Sequence, residues 1–299
     1  MIQDLRRVRG PRVEVMLAFL GSVCLGLSLG AATAVREVYS TGFELPEYET
    51  GFTLAEQGGW VSDAVGGNQV YKDYFEGMGQ HGLIGFSKPQ GNIDSVSVWR
   101  PLNVNPVAVG NPVVTFTVVM SIADSIEHPS RRDSFRWSVY NTNAAPTRLF
   151  SLDFDNATTN IAYLLDDDEG FVLTPYYFER DGLYDLAITM DFAANHWSAT
   201  LNGQTVVERQ PMTTVGAALH LGDIDAVWVR AAGNGEFGDN YMVFDDYRVV
   251  MAPAQAPRLE LVEVGEDGVV VVAVEGDDGQ EVGIEFSEDL VGWGLLTTG

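Results

Sequence analysis

GLYDLAITMDFAANHWSATLNGQTVV, residues 182–207, decides the fold. Leu186, Ile188, Met190 and Phe192 alternate with Asp185, Ala187, Thr189 and Asp191. That period of two belongs to a strand with one buried and one wet face. Ala193-Ala194-Asn195 interrupts the run, and Trp197, Ala199 and Leu201 then alternate with His196, Ser198 and Thr200. Asn202-Gly203 follows, the dipeptide that best accepts the positive φ angles of a two-residue type I′ turn. Residues 204–208 complete a β-meander. A meander has one apolar face and needs a second sheet to cover it.

The rest of the chain supplies candidates for that sheet. Val96 and Val98 alternate with Ser97 and Trp99, and Phe135, Trp137 and Val139 with Arg136, Ser138 and Tyr140. Phe150, Leu152 and Phe154 alternate with Ser151, Asp153 and Asp155. VVTFTVVM at 113–120 is the most apolar stretch and reads as a central strand. Further strands are expected at 38–43, 69–75, 83–86, 161–165, 171–178, 226–230 and 241–251. Beyond residue 35 no window has a 3.6-residue period. An all-β fold, a two-sheet antiparallel β-sandwich of the jelly-roll kind, is therefore expected over 35–251.

Residues 1–34 have the form of a secretory signal peptide. Arg6, Arg7, Arg9 and Arg12 precede the apolar run 15–29, and Ala32-Thr33-Ala34 is an A-x-A cleavage site. The competing reading is a retained membrane anchor, against which the run is short and interrupted by Gly and Ser. The expectation is a secreted protein, extracellular or at the cell surface, with no membrane contact after cleavage. The single cysteine, Cys24, lies in this segment, so disulfides play no part in the exported fold. The chain holds 17 basic and 42 acidic residues, a net charge of −25. Cleavage removes four arginines and the acids Asp4 and Glu14, which leaves −27. Such a surface repels nucleic acid and anionic lipid.

Residues 252–258 (APAQAPR) read as a linker. Residues 259–299 contain eleven acids and no Lys or Arg, with VVVVAV at 269–274, and are expected to form a small β-module.

GFELPEY at 42–48, Gln57-Gly58-Gly59-Trp60, the meander and FDDYRVV at 244–250 together resemble the concanavalin A-like (laminin-G-like) jelly-roll domains of secreted bacterial proteins. The opening and closing pieces also resemble galactose-binding-like jelly rolls. The tail, with Glu285, Ser287, Asp289, Leu290 and Trp293, resembles a small C-terminal module of secreted Verrucomicrobia-type proteins. The resemblance implies a scaffold that binds carbohydrate or another extracellular surface. It also implies structural calcium where the first and last strands meet, with Glu44, Asp245 and Asp246 as candidate ligands. Only one of Asp245 and Asp246 can face inward from a strand.

Catalytic patterns are few. Laminarinase-type relatives of this fold carry Glu-x-Asp-x-x-Glu, and no such spacing occurs here. Asp153 and Asp155 share a strand face and read as solvated carboxylates. His81, His128, His196 and His220 form neither HxH nor HExxH, so zinc is not indicated. No GxSxG elbow is present. Asp166-Asp167-Asp168-Glu169 lacks the ligand spacing of an EF-hand and reads as a solvated turn rather than a calcium loop.

Aromatics beside arginines are the remaining lead, because sugars stack their apolar ring faces on aromatic side chains while planar polar groups fix the hydroxyls. Trp99 with Arg100, Arg136 with Tyr140, and Trp228 with Arg230 are the candidate ligand-binding residues. The competing reading places both tryptophans in the core. A non-catalytic glycan- or surface-binding sandwich is expected first. A polysaccharide hydrolase or lyase is the alternative, and a structural spacer of a surface assembly is a third.

Overall fold

The structure is a computed structural model. It describes residues 35–254 except 128, 144 and 234, together with six strands outside that range. The cleavage motif at 32–34, residues 255–257 of the linker, the turn at 276–279 and Asp289, Leu290 and Trp293 lie outside the described residues. The chain divides into two compact units, Val35–Ala252 on one hand and Met1–Ala34 with Pro253–Gly299 on the other.

The Val35–Ala252 unit is a two-sheet antiparallel β-sandwich. One sheet runs, in spatial order, Phe171–Tyr177, Asn160–Leu165, Arg148–Asp155, Ser134–Tyr140, Asp223–Val229, Ser95–Trp99 and Val61–Ser62. The other runs Gln204–Pro211, His196–Leu201, Tyr184–Asp191, Val113–Ala123, Tyr241–Ala252, Gln80–Gly85 and Asn68–Lys72. Arg36–Thr41 also pairs with Tyr241–Ala252, so the first and last strands of the unit lie side by side. The Val113 strand is the middle one of its sheet, as its composition implied.

The meander forms as its alternation dictates. Leu186, Ile188 and Met190 pair with Leu201, Ala199 and Trp197, and all six are buried. Asn202 and Gly203 have φ of 50° and 77°, the left-handed values that the two-residue turn requires. The Asn202 side-chain oxygen accepts from the Asp185 amide at 2.7 Å and fixes the turn to the strand.

The second sheet closes over this face. Phe150 and Trp197, from opposite sheets, stack at 4.0 Å between ring centroids with planes 12° apart. Phe116, Trp137, Phe244 and Tyr247 form a second aromatic cluster between the sheets. Truncating a fully buried ring of this kind to Ala costs about 3–5 kcal/mol.

The other unit contains two three-stranded antiparallel sheets. Val269–Glu275 lies between Arg12–Ala18 and Arg258–Val264, and Gly283–Ser287 lies between Cys24–Gly26 and Gly294–Thr298.

Candidate binding face on the seven-stranded sheet

In the seven-stranded sheet, Phe135, Trp137 and Val139 face the core, so Arg136, Ser138 and Tyr140 face outward. The register carries this face across the neighbouring strands. Tyr140 pairs with Arg148 on one side and Asp223 on the other. Ser138 pairs with Ser151 and Asp225, and Arg136 with Asp153 and Val227. Trp99 follows Val98, the partner of Ala226, so it lies at the level of Asp225. The outcome is a polar face with aromatic groups on it, spread over four strands.

Several polar groups of this face are spent within the protein. Ser138 and Ser151 bond to each other at 2.7 Å. Arg136 donates its Nε–H to Asp153 and lays its guanidinium 4.7 Å from the centre of the Phe171 ring. Asp153 is therefore not a solvated carboxylate, as its place on a strand face suggested. It is only 5% exposed, and burial raises its pKa against the pull of Arg136. Asp155, the other acid of that strand, turns to cap the following loop through the Ala157 amide and the Thr158 hydroxyl.

A second group of polar atoms is not spent. Asp225 is only 6% exposed, yet among the described residues its Oδ1 has no hydrogen-bond partner. Its carboxyl is within hydrogen-bonding reach of Asp223, two residues earlier on the same face. Burial first, and the Asp223 charge second, push the Asp225 pKa well above the carboxylate range. Two carboxyls so placed titrate as a pair, and burial with their mutual repulsion favours keeping a proton on one of them. Arg148 donates Nη2–H to the Leu165 carbonyl at 2.9 Å, while its buried Nε–H has no partner among the described residues. A bulge next to Arg148 inserts Leu149 into the core, which sets the arginine at the end of the face. The half-buried Tyr140 hydroxyl, between Arg148 and Asp223, makes no protein hydrogen bond among the described residues. Its pKa is raised by burial and by the Asp225 charge.

The structure thus brings Trp99, Arg136 and Tyr140 together on one face and separates them from the other three candidates. Trp228 is fully buried, donates its Nε1–H to Asp133 at 3.0 Å and packs against Phe237, so it has no ring face for a ligand. Arg100 serves the fold: its Nε–H bonds the Gly58 carbonyl at 2.8 Å, its Nη1–H bonds the Pro101 carbonyl, and its guanidinium lies over Tyr39. Arg230 pairs with Asp94 at the strand end. Asp223, Asp225 and Arg148 were missed. The strand starts at Asp223 rather than Ala226, and the alternation Asp223, Asp225, Val227 against Ile224, Ala226, Trp228 was the signal that would have found the two acids.

The expected calcium set is placed differently. The first and last strands do meet, and a Cβ on Gly42 would lie 3.6 Å from Asp245 Oδ1 and 3.8 Å from Asp246 Oδ1. Asp245, however, is buried with both oxygens engaged: Oδ2 by the His81 ring at 3.0 Å and Oδ1 by the Asp246 amide at 2.7 Å. Asp246 sits in a bulge with φ of 48° and is exposed. Glu44 accepts from the Gln80 amide through Oε1. Among the described residues no three His, Cys, Asp or Glu side chains converge on a metal position. Calcium, which requires six to eight oxygens, does not fit these residues as they are arranged.

Asp166 likewise is more than a solvated turn residue. Its carboxylate accepts from both Thr213 and Thr214 and ties two loops together.

No protein-family model and no curated protein matches the chain. Among solved structures, a sialidase is similar with TM-score 0.44 and 9% identity over 64% of this chain, and the chain spans 17% of that protein. Basic winged bean lectin, solved with Tn-antigen, gives TM-score 0.43 and 10% identity over 73% of this chain and 99% of the lectin. The binding domain of botulinum neurotoxin DC gives 0.45 and 8% over 74% of this chain and 49% of that one.

Proposed function

We propose that the outer face of the seven-stranded sheet is a carbohydrate-binding surface of a secreted, non-catalytic sandwich. The observation that carries this reading is the set of polar groups on three adjacent strands: the part-buried Arg148 guanidinium, the Tyr140 hydroxyl, and the Asp223–Asp225 carboxyls. They run from a donor, through a hydroxyl that both donates and accepts, to acceptors, across strands spaced about 4.8 Å apart. Sugar hydroxyls both donate and accept, so a pyranose or a short oligosaccharide laid across the strands satisfies such a row. Trp99 and Phe171 flank the row, and Phe171 is 47% exposed. Aromatic faces at the margins of a polar row supply the stacking that glycan recognition uses.

The same geometry weighs against hydrolysis. Glycosidases hold their two carboxyls roughly 5–9.5 Å apart, on either side of the scissile bond. Asp223 and Asp225 are hydrogen-bonding neighbours, and Asp153 is committed to Arg136.

A glycan array followed by calorimetry tests the reading. Tyr140→Phe removes a hydroxyl that the fold does not use, so its melting temperature should match the wild type. Its affinity for the array's best ligand should fall by about tenfold, the value of one well-made hydrogen bond. Absence of wild-type binding to any glycan, or undiminished binding by Tyr140→Phe and Trp99→Ala, would refute the assignment. Secretion belongs to the same proposal: mass spectrometry of exported protein should find Val35 as the first residue, and an intact Met1 would count against it.

A further inference from the structure

Buried carboxylates in this protein fall into two kinds. Asp133 is fully buried and takes three donors: Trp228 Nε1–H at 3.0 Å, the Ala231 amide at 3.1 Å and the Gly238 amide at 2.7 Å. Asp245 takes the His81 ring and the Asp246 amide. These are carboxylates built into a frame. Asp225 is buried almost as deeply, but its neighbour is another acid, and one of its oxygens has no donor among the described residues. Leaving a buried acceptor unmade is costly to the fold, so packing gives no account of this pair.

The surroundings supply negative charge rather than relieve it. Asp63, exposed beside the Ser95 strand and fixed there by the Ser97 amide, acts on both Asp225 and Tyr140. On the strand beyond Tyr140 the facing cation is Arg148, held toward the opposite end by the Leu165 carbonyl and by the charges of Asp166 and Asp167. Arg136 is neutralised by Asp153. Tyr247, packed beneath the strand, donates its hydroxyl to the Ile224 carbonyl and offers nothing to the acids. The pair therefore faces Asp63, Tyr140, Ser138 and Arg148, with Asp223 half-buried at the solvent side and Asp225 behind it.

We propose that the Asp223–Asp225 pair is a subsite for a protonated amine of the ligand, so that the glycan bound on this face is a cationic one carrying free amino-sugar units. This rests on the reading of the face as a carbohydrate surface. The ammonium meets Asp223 at the solvent edge and draws on the charge of Asp225 behind it. It replaces the proton held on one of the two carboxyls, which is released to solvent as both become ionised. An ammonium carries three donors, which suits two carboxylates whose hydrogen-bonding capacity is not filled from within the protein. A neutral sugar hydroxyl supplies one donor and no charge, and an anionic sugar meets repulsion from three acids.

Calorimetry on the full chain with β-1,4-linked glucosamine oligomers, their N-acetylated counterparts and uronic acid oligomers tests this. The expected order is glucosamine, then N-acetylglucosamine, then uronic acid, with at least about a tenfold gap between the first two at low salt that narrows as salt is added. Measured in buffers of different ionisation enthalpy, glucosamine binding should release a proton. The double variant Asp223→Asn, Asp225→Asn should lose that proton release and the tenfold preference while still binding the N-acetylated oligomer. A control with two distant exposed acids removed, Glu76→Gln and Glu208→Gln, should keep both. Equal affinity of wild type for the amine and its acetylated form overturns the cationic subsite but leaves the carbohydrate surface standing. Equal loss in the distant control overturns the subsite as well, by showing general charge attraction. Failure of wild type to bind the glucosamine oligomer overturns the subsite, and failure to bind any glycan of the array overturns the carbohydrate surface as well.

Discussion

Each sheet carries a pair of titratable side chains on its outer face, and the two pairs are built in opposite ways. On the eight-stranded sheet, His81 and Asp245 lie on neighbouring strands, with Leu83 and Val243 on the same outward face. The His81 Nε2 accepts the Tyr74 and Phe75 amides, both at 3.2 Å, so the ring proton resides on Nδ1 and is donated to Asp245. Every polar atom is matched, and the pair pins residues 74 and 75 over Leu83 and Val243. A histidine with both nitrogens engaged in this way has none left for a nucleophile. On the seven-stranded sheet, among the described residues, Asp223 and Asp225 have only each other, and Asp225 Oδ1 has no donor. Asp225 and Asp245 are both buried, so burial alone does not distinguish them, whereas completion of their hydrogen bonds does.

Substitutions at matched groups should therefore be the most damaging. Asp245→Ala leaves the His81 Nδ1–H and the Asp246 amide unpaired in a buried place. A loss of about 3–5 kcal/mol is expected in denaturant unfolding. A loss below about 1 kcal/mol would remove the distinction between the two pairs. Asp133→Asn is expected to be the next largest, at about 2–3 kcal/mol, because an amide nitrogen must then face one of three buried donors.

Gly203→Val, at a turn glycine with φ of 77° and open space around its Cα, should cost on the order of 1 kcal/mol or more from backbone strain alone. An unchanged melting temperature would show that the meander tolerates a different turn, and that its register is set by the cross-strand pairs and not by Asn202-Gly203.

The alternation that revealed the meander also gave the two-sheet sandwich, the central Val113 strand and the outward direction of Trp99, Arg136 and Tyr140. Such features follow from a period of two, which any local window displays. Arg100 and Arg230 could not be read this way, since their partners, Gly58 and Asp94, are fixed by tertiary contacts. Trp228 could have been: it alternates in phase with Ile224 and Ala226 and belongs with the core on that ground. Asp223 and Asp225 escape such a reading because they precede the run 226–230 expected as the strand, which in the structure begins at Asp223. What no local pattern reveals is which acid is completed by donors, since the donors to Asp133 come from residues about a hundred positions away. The engagement of Asp245 is hidden in the sequence for the same reason: its partner His81 is 164 residues away.

The smallest effect is the most telling. Asp225 has its folded-state pKa raised above the unfolded value of about 3.9, so the folded protein binds the extra proton. Its favourable contribution is complete below about pH 4 and is lost as pH rises through the folded value. Asp225→Asn abolishes that loss. Its stability relative to wild type should improve as pH rises through this window, and at neutral pH it should match or exceed wild type by up to about 1 kcal/mol. Thermal melts of Asp225→Asn and Asp133→Asn beside wild type, taken across that pH range, compare an unfilled carboxyl with a filled one in a single experiment. The expected result is a melting temperature for Asp225→Asn at or above wild type at neutral pH, with Asp133→Asn well below. A fall in Asp225→Asn as large as that in Asp133→Asn would mean that Asp225 is a framework residue, and the outer face of the seven-stranded sheet would lose its claim to be the binding site.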